Sequence, residues 1–421
     1  MSSNDSKVRK RLSMNEQTLL PHTSRAQTPV KETAYGSGST TQQNSAHLRI
    51  AFAYNKSRRH VTEKYLSDTF APGSATHFDL DAFEPNVSVL TLLDSARIRG
   101  EVPDVFAHLV HAPSLPRDLH LSPVRTASLD IDSFAWTASR IRWSMLFDYV
   151  FLWHPSLASM YRAAGHPNVI VLPHAVDGDL FRASPKGESR PLDVGWVGAF
   201  NYAHYDRRRR IIRSLASQFK MNDIAKRYGK TETVEIYKQS KIVVNVSRED
   251  FPPEANMRCY EAMAGGALLI TGMPTELTEW GFREGEHFVG WRDESEIPDL
   301  VDQYLRQERK REQIACAGRE LTLRDFTFQK CRDKMTSALG DQRSAFFAPA
   351  RNWSAEDISL TYLEYYYRYQ LHGAAYQEFR SLRSFAGYRR GLPMMLRSAR
   401  HALMQYLGPR PESPTYPEKG N

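Results

Sequence analysis

The chain has 421 residues, of which 25% are charged and 41% hydrophobic, and a formal net charge of +8. That length accommodates two domains of ordinary size plus tails, and the composition is that of a globular protein, not a collagenous or wholly disordered one. No apolar run approaches the roughly 18 to 20 residues that cross a bilayer, and no apolar segment follows the N-terminal charges, so neither a membrane span nor a secretory signal is expected. The three cysteines, Cys259, Cys316 and Cys331, have neither metal-ligand spacing nor an even count for disulfides, which fits a reducing, cytoplasmic setting. The positive balance suits phosphates, polyanions or acidic lipid head groups without choosing among them.

Residues 1–46 are rich in Ser, Thr, Gln, Asn and charge, with few large apolar groups, and are expected to form a disordered arm. A first domain, 47–180, opens with the apolar run His47 to Tyr54, read as a strand. The polar loop after it lacks the Gly-x-Gly-x-x-Gly spacing that lets backbone approach a pyrophosphate, so no dinucleotide is placed there; a helix is expected from about His60. Phe78 to Phe83, Val105 to His111, Arg125 to Leu129, Phe147 to Trp153 and Asn168 to Leu172 read as further strands. His111 then ends one strand, and Asp130 and Asp132 follow another, on the carboxyl rim where open α/β sheets bind ligands. A linker, 181–191, contains Ser184-Pro185-Lys186-Gly187-Glu188.

The second domain, 192–340, starts with Leu192 to Gly198, a strand running into a glycine turn. Arg207 to Arg210 begin a helix; successive residues point about 100° apart, so only one or two of these arginines can face a common ligand. Glu232 to Ser240 is a further helix. Ser240 to Ile270 then reads as strand, helix, strand. Ile242 to Val246 is a buried parallel strand, Ala255 to Ala264 a helix, Gly265-Gly266 its stop with φ > 0, and Ala267 to Ile270 a second strand. Ser247 to Arg258 should line a site that faces a helix N-terminus, where backbone N–H groups and the Arg258 fork favour phosphate. Glu261 can accept hydrogen bonds from sugar hydroxyls. The same spacing also fits an ordinary i, i+3 ion pair between Arg258 and Glu261 on a solvated face.

Phe328 to Leu339 is expected to be a helix; the family resemblance described below implies that it crosses back to the first domain. A helical extension, 341–408, follows, and a disordered tail, 409–421. In Ile358 to Phe385 the apolar and aromatic stripe around Tyr365-Tyr366-Tyr367 reads as core or an oligomer seam more readily than as a carbohydrate platform. From Phe379 to Arg410 there are arginines and no acids, a pattern that suits packing on the body or contact with an acidic membrane surface.

The pattern Asn256-Met257-Arg258-Cys259-Tyr260-Glu261-Ala262, then Gly265-Gly266-Ala267-Leu268-Leu269-Ile270, resembles the nucleotide-sugar-binding signature of retaining GT-B glycosyltransferases (glycosyl transferases group 1), especially the CgeB-like group. Glu276-Leu277, Gly285-Glu286-His287-Phe288-Val289, Glu294 to Leu305 and Ile314 to Arg319 follow in that group's order, so the resemblance covers roughly residues 193 to 338. It implies an α/β GT-B fold, two Rossmann-like domains with parallel sheets facing a cleft, and transfer of a sugar from a nucleotide-diphosphate-sugar with no metal, no cofactor and no protein nucleophile. By the same resemblance Glu261 holds the ribose hydroxyls, Asn256 and Arg258 lie near the diphosphate or sugar, and a basic residue, Arg207 or Arg208, meets the diphosphate. Glu254 and Gly198 complete the donor-binding set. His111 and Asp132 are assigned to the acceptor or the transferred sugar.

Two positions depart from the pattern. Pro253 stands where many relatives have a glutamate eight residues before Glu261, and Phe326 replaces a histidine common near the domain's end. The first departure leaves open a non-catalytic scaffold that binds nucleotide or glycan. Asp130-Ile131-Asp132 leaves open a metal-dependent GT-A enzyme, although Asp79-Leu80-Asp81 and Asp177-Gly178-Asp179 have the same form. The acceptor, whether glycan, lipid, protein or small molecule, is not specified; nucleic acid is not expected. The localisation expected is cytoplasmic, with peripheral contact to an acidic membrane through the basic C-terminal helix.

Overall fold

The computed structural model describes residues 48–56, 66–71, 73–109, 112–182, 190–198, 205–247, 251, 253–340 and 346–407. The expected N-terminal arm, the helix start at 60, His111, most of the linker and the tail from 409 lie outside the described residues.

Two wholly parallel sheets form the scaffold. The first has the order β2-β1-β3-β4-β5-β6, with β1 Ile50–Tyr54, β2 Ala75–Asp79, β3 Val105–Leu109, β4 Arg125–Asp130, β5 Tyr149–Leu152 and β6 Val169–Val171. β1, β3 and β5 are buried along their whole length, as apolar runs covered on both faces must be. β2 stops earlier than its apolar run suggested. The Asp79 carboxylate accepts the Asp81 N–H at 3.0 Å and caps a 3₁₀ turn, Leu80–Ala82. Between β2 and β3 lies a helix that the sequence reading did not assign, α1 Val89–Ile98, capped by Ser88 and burying Val89, Leu92, Leu93 and Ala96. Thr137–Ser144 (α2), Ala158–Ala163 (α3) and Gly178–Arg182 (α4) complete this half.

The second sheet has the order β10-β9-β8-β7, with β7 Leu192–Gly195, β8 Ser240–Asn245, β9 Leu268–Gly272 and β10 Val289–Trp291. Its helices are α5 Asp206–Ala216, α6 Lys230–Gln239, α7 Met257–Ala264, α8 Thr275–Glu279, α9 Ile297–Arg306 and α10 Glu308–Asp325. Of the two glycines expected to end α7 with positive φ, only Gly266 does so, at 72°. Gly265 keeps a helical φ of −67°. The amides of Gly266 and Ala267 close the end on the carbonyls of Met263 and Ala262, at 2.8 and 3.1 Å.

The chain crosses between the halves at Val176. Its N–H donates to the Phe326 carbonyl at 3.0 Å and its carbonyl accepts from the Phe328 N–H at 2.9 Å. α11 Phe328–Gly340 then buries Phe328, Cys331, Met335 and Leu339 among Phe52, Val105, Ala107 and Ala127 of the first sheet. Phe326, where a histidine was the family pattern, is buried against Phe282, with ring centroids 4.8 Å apart, and Tyr260, at 5.5 Å.

Three further helices, α12 Ala355–Arg368, α13 His372–Ser381 and α14 Phe385–Leu407, cover the other face of the first sheet. The stripe read from Ile358 to Phe385 is broken at Gln370, whose φ is 61°. Tyr362, Tyr365 and Tyr366 are buried with Phe106, Trp143 and Phe147, so the aromatic cluster is core. Their hydroxyls reach the loop after β3: Tyr366 Oη donates to the Leu115 carbonyl at 2.6 Å, and Tyr365 Oη to the Ala112 carbonyl. Tyr366→Phe leaves that carbonyl without its donor beside a buried ring and should lower the unfolding free energy by about 1 to 2 kcal/mol in a denaturant titration, with the fold intact.

Candidate functional site

The carboxyl ends of β4, β7 and β8 open onto a cavity of about 730 Å³, lined from the first half by Asp132 and Ala175 to Asp177 and from the second by Gly198, Arg208, Glu254, Asn256, Arg258 and Glu261. α7 delivers the last three. Asn256 is its N-cap, accepting the Arg258 N–H at 3.1 Å. The helix end faces the cavity, as its position after β8 requires, but its own cap already occupies that amide. The positive charge at this end therefore comes chiefly from guanidinium groups.

Arg258 Nε donates to the Val197 carbonyl at 2.8 Å and Nη1 to Asn245 Oδ1 at 2.9 Å, and the guanidinium lies 5.4 Å from the centroid of the Trp196 ring. Asn245, at the end of β8, also receives the Asn256 amide at 3.2 Å and donates to Thr271 at 3.0 Å, so one buried amide ties the cap, the arginine and β9 together. Arg208 is buried, donates through Nε to the Val246 carbonyl at 2.9 Å and sits 4.1 Å from the Tyr205 ring centroid. Burial, then repulsion from Arg258, pulls its pKa down to about 10. Two cations are thus brought together on neutral acceptors. Among the described residues neither makes an ion pair with a carboxylate. Such a pair raises its own electrostatic energy until an anion arrives.

Glu261 lies on the same wall, half-buried, and burial pushes its carboxyl up to about 7 against the pull of Arg258. Its neighbour Tyr237 is buried on α6, and desolvation first, then the Glu261 charge, raises its phenol above the usual range. Lys230, Thr233, Val234 and Tyr237 recur at one helical stripe of α6 and all line the cavity. The sequence reading missed them, although their i, i+3, i+4, i+7 spacing marks one face. Lys230 Nζ meets Asp177 Oδ2 at 2.7 Å across the cavity wall.

Arg207 departs from its expected place. It ion-pairs with Glu294 at 3.1 Å and lies over Trp291, about 100° round α5 from Arg208. The phase was readable: Arg208, Ile211, Ile212 and Leu215 are the buried residues of α5, again at i, i+3, i+4, i+7. Arg209 and Arg210 pair with Asp206 and Glu294 and are likewise turned away. Asp132 lines the cavity from a left-handed backbone, φ 55°. Its partner in the Asp-Ile-Asp phrase is sealed, because Asp130 is buried against Arg140 and accepts the Tyr161 hydroxyl at 2.6 Å. The two carboxylates therefore do not form one clamp. His111 lies outside the described residues.

A joint beneath the cavity connects the halves. His154, after β5, places Nδ1 3.2 Å from both carboxylate oxygens of Glu276 on α8, and Glu276 also accepts from Ser156 at 2.9 Å and from the Ala255 N–H at 3.2 Å. Burial opposes charge on His154, but the Glu276 carboxylate outweighs it and raises the imidazole above its usual value. Phe134 stacks on Phe251 at 4.7 Å beside this joint.

Two parallel-sheet Rossmann-like halves with crossing helix and intervening cleft define the GT-B fold, which replaces the GT-A alternative. Residues 197–336 match the family model described as glycosyl transferase-like. Among solved structures the chain is similar to Anabaena Alr3699/HepE in complex with UDP and glucose, at 14% identity over 70% of this chain and 99% of that one, with a TM-score of 0.52. The complex of the same protein with UDP-glucose is similar at 13% identity, over 70% and 99%, with a TM-score of 0.51. A glycosyltransferase from Rickettsia africae follows at 11% identity, over 70% and 99%, with a TM-score of 0.48. With the Anabaena protein, at these identities, the shared property is the fold. No curated protein matches the chain by sequence.

Gly198 touches this constellation directly. A Cβ there would come within 2.5 Å of Arg258 Nη2 and 2.7 Å of the Trp196 ring. Gly198→Ala should therefore push the guanidinium off its acceptors and weaken pyrophosphate binding about tenfold or more in calorimetric titration.

Proposed function

We propose that the chain is a glycosyltransferase that moves a sugar from a nucleotide-diphosphate-sugar to an acceptor in the cleft between its two halves. The observation that carries this reading is the pair Arg208 and Arg258, fixed by neutral acceptors at the α7 end of the cleft, with a protonatable carboxylate, Glu261, on the same wall. The pair fits a diphosphate, and Glu261 fits a ribose diol one helical turn away. The UDP and UDP-glucose in the two Anabaena complexes are ligands of this class.

On this reading the two guanidiniums stabilise the charge that develops on the departing diphosphate. They are preorganised, so little reorganisation is needed as the bond to the sugar breaks. Closure of the halves excludes water that would otherwise hydrolyse the donor. Asp132, which lines the cleft from the first half, contacts the acceptor or the transferred sugar on this reading. The reading extends to a retaining, metal-independent hexosyltransferase of the CgeB-like group acting in the cytoplasm, with Arg208 and Arg258 in the charge-neutralising role. Pro253 supports a second reading, a binding scaffold without turnover, because the sugar-contacting glutamate of many relatives has no counterpart there. Glu254, the nearest one, is buried and lines the cavity.

Arg258→Ala should weaken nucleoside-diphosphate binding by about 10- to 150-fold, the loss of a charge-assisted hydrogen-bond set of roughly 1.5 to 3 kcal/mol; unchanged affinity by calorimetry removes Arg258 from the site. A panel of nucleotide sugars in a thermal-shift assay identifies the donor, and release of free sugar or transfer product from it separates enzyme from scaffold. Glu261 sets a pH dependence of definite sign. Its carboxyl is raised, so it holds a proton below about pH 7 and must lose it to accept from both ribose hydroxyls. Nucleoside-diphosphate affinity, corrected for the ligand's own ionisation, should therefore strengthen several-fold from about pH 6 to 8, and Glu261→Gln should flatten the profile.

A further inference from the structure

The C-terminal helix α14 has two faces. One is docked: Met394 and Met395 pack against the core of the first half, Ser398 is buried and its hydroxyl lies 2.6 Å from His372 Nδ1, and at Gly391 an added Cβ would meet Leu382, Leu363 and Phe379 within 3.1 Å. The opposite face is open. Phe385, Leu392, Leu396 and Leu403 are 84%, 47%, 62% and 56% exposed. At 3.6 residues per turn these four fall within about 20° of one line along the helix, and Tyr388 lies about 60° to one side.

Large apolar side chains scattered singly on a surface need no explanation, but a stripe nearly five turns long does. Its flank supplies one. Arg389, Arg400 and Arg397 lie on the other side, at about 40°, 60° and 120° from the line, and all three are exposed. Among the described residues none of them makes an ion pair, whereas Arg390, further round, is held by Asp357 at 2.9 Å. Phe379 to Arg410 contains seven arginines and no Asp or Glu, so the stretch supplies no carboxylate of its own to neutralise them.

We propose that this face of α14 binds the surface of an anionic lipid bilayer, the apolar line entering the head-group boundary and the arginines meeting lipid phosphates. The chemistry favours a bilayer over a second copy. A partner helix could cover the leucines, but an identical one brings the same uncompensated arginines to the seam, whereas an acidic leaflet satisfies both features at once. No described helix is long and apolar enough to cross a membrane, so the contact is peripheral. This assignment is independent of the chemistry in the cleft, because α14 contributes no residue to it.

The test is co-sedimentation of the full chain with vesicles of phosphatidylcholine alone and of phosphatidylcholine with phosphatidylglycerol. Binding is expected to the anionic vesicles only, and to fall as salt is raised. Leu392→Ser with Leu396→Ser, and separately Arg389→Gln with Arg397→Gln and Arg400→Gln, should each weaken it about tenfold to a hundredfold. Melting temperature and nucleotide binding should be unchanged, because these side chains are exposed. Equal binding to both vesicle types, or none to either, overturns the proposal. So does a concentration-dependent dimer that the leucine variant abolishes, which would make a second copy the occupant, or anionic binding that survives both variants.

Discussion

A guanidinium that is held by a carbonyl and an amide oxygen keeps its full charge for something else. Arg258 is fixed in this way by Val197 and Asn245, and the rest of the cleft is arranged around that fact. Had either contact been a carboxylate, that charge would be offset inside the protein, leaving Arg208 as the cation held by a neutral acceptor. Asn245 is central because its side chain can accept and donate at once. Its oxygen serves Arg258 and Asn256, while its nitrogen is anchored on Thr271 and Ser247. The parallel pairing of β8 with β9 brings Asn245 opposite Thr271, so the register of the sheet sets the direction of the arginine.

Much of this was legible from residues 240 to 270 alone. A β-branched run, a turn with prolines, a stretch with helical spacing and a double glycine have only one economical reading, and the structure follows it apart from the φ of Gly265. The strands of the first half were also visible as apolar runs, although the one over Phe78 ends early because the carboxylate of Asp79 prefers to cap a turn. What was not visible was phase and distance. Arg207 and Arg208 are neighbours in sequence and lie on different sides of α5, and only the positions of Ile211, Ile212 and Leu215 distinguish them. The α6 stripe carried the same kind of signal at Lys230, Thr233, Val234 and Tyr237. By contrast no local pattern announces that Asp132 adopts a left-handed backbone, or that Asp177 will meet Lys230. The first is a matter of a single backbone angle, the second of contacts between residues more than fifty positions apart.

The helical extension illustrates how one stretch serves two purposes. The tyrosines of α12 seal the first half by donating to loop carbonyls after β3, which removes the aromatic cluster from any surface role. α14 leans on that sealed core with its methionines and leaves its leucines outside. Sequence periodicity shows both stripes equally well; only packing decides which is turned inward.

The Glu276 carboxylate holds three groups at once: an imidazole and a hydroxyl from one half, and the backbone of Ala255, directly before the α7 cap, from the other. The placement of the first half and the start of the helix that carries Arg258 are thereby fixed by one shared side chain.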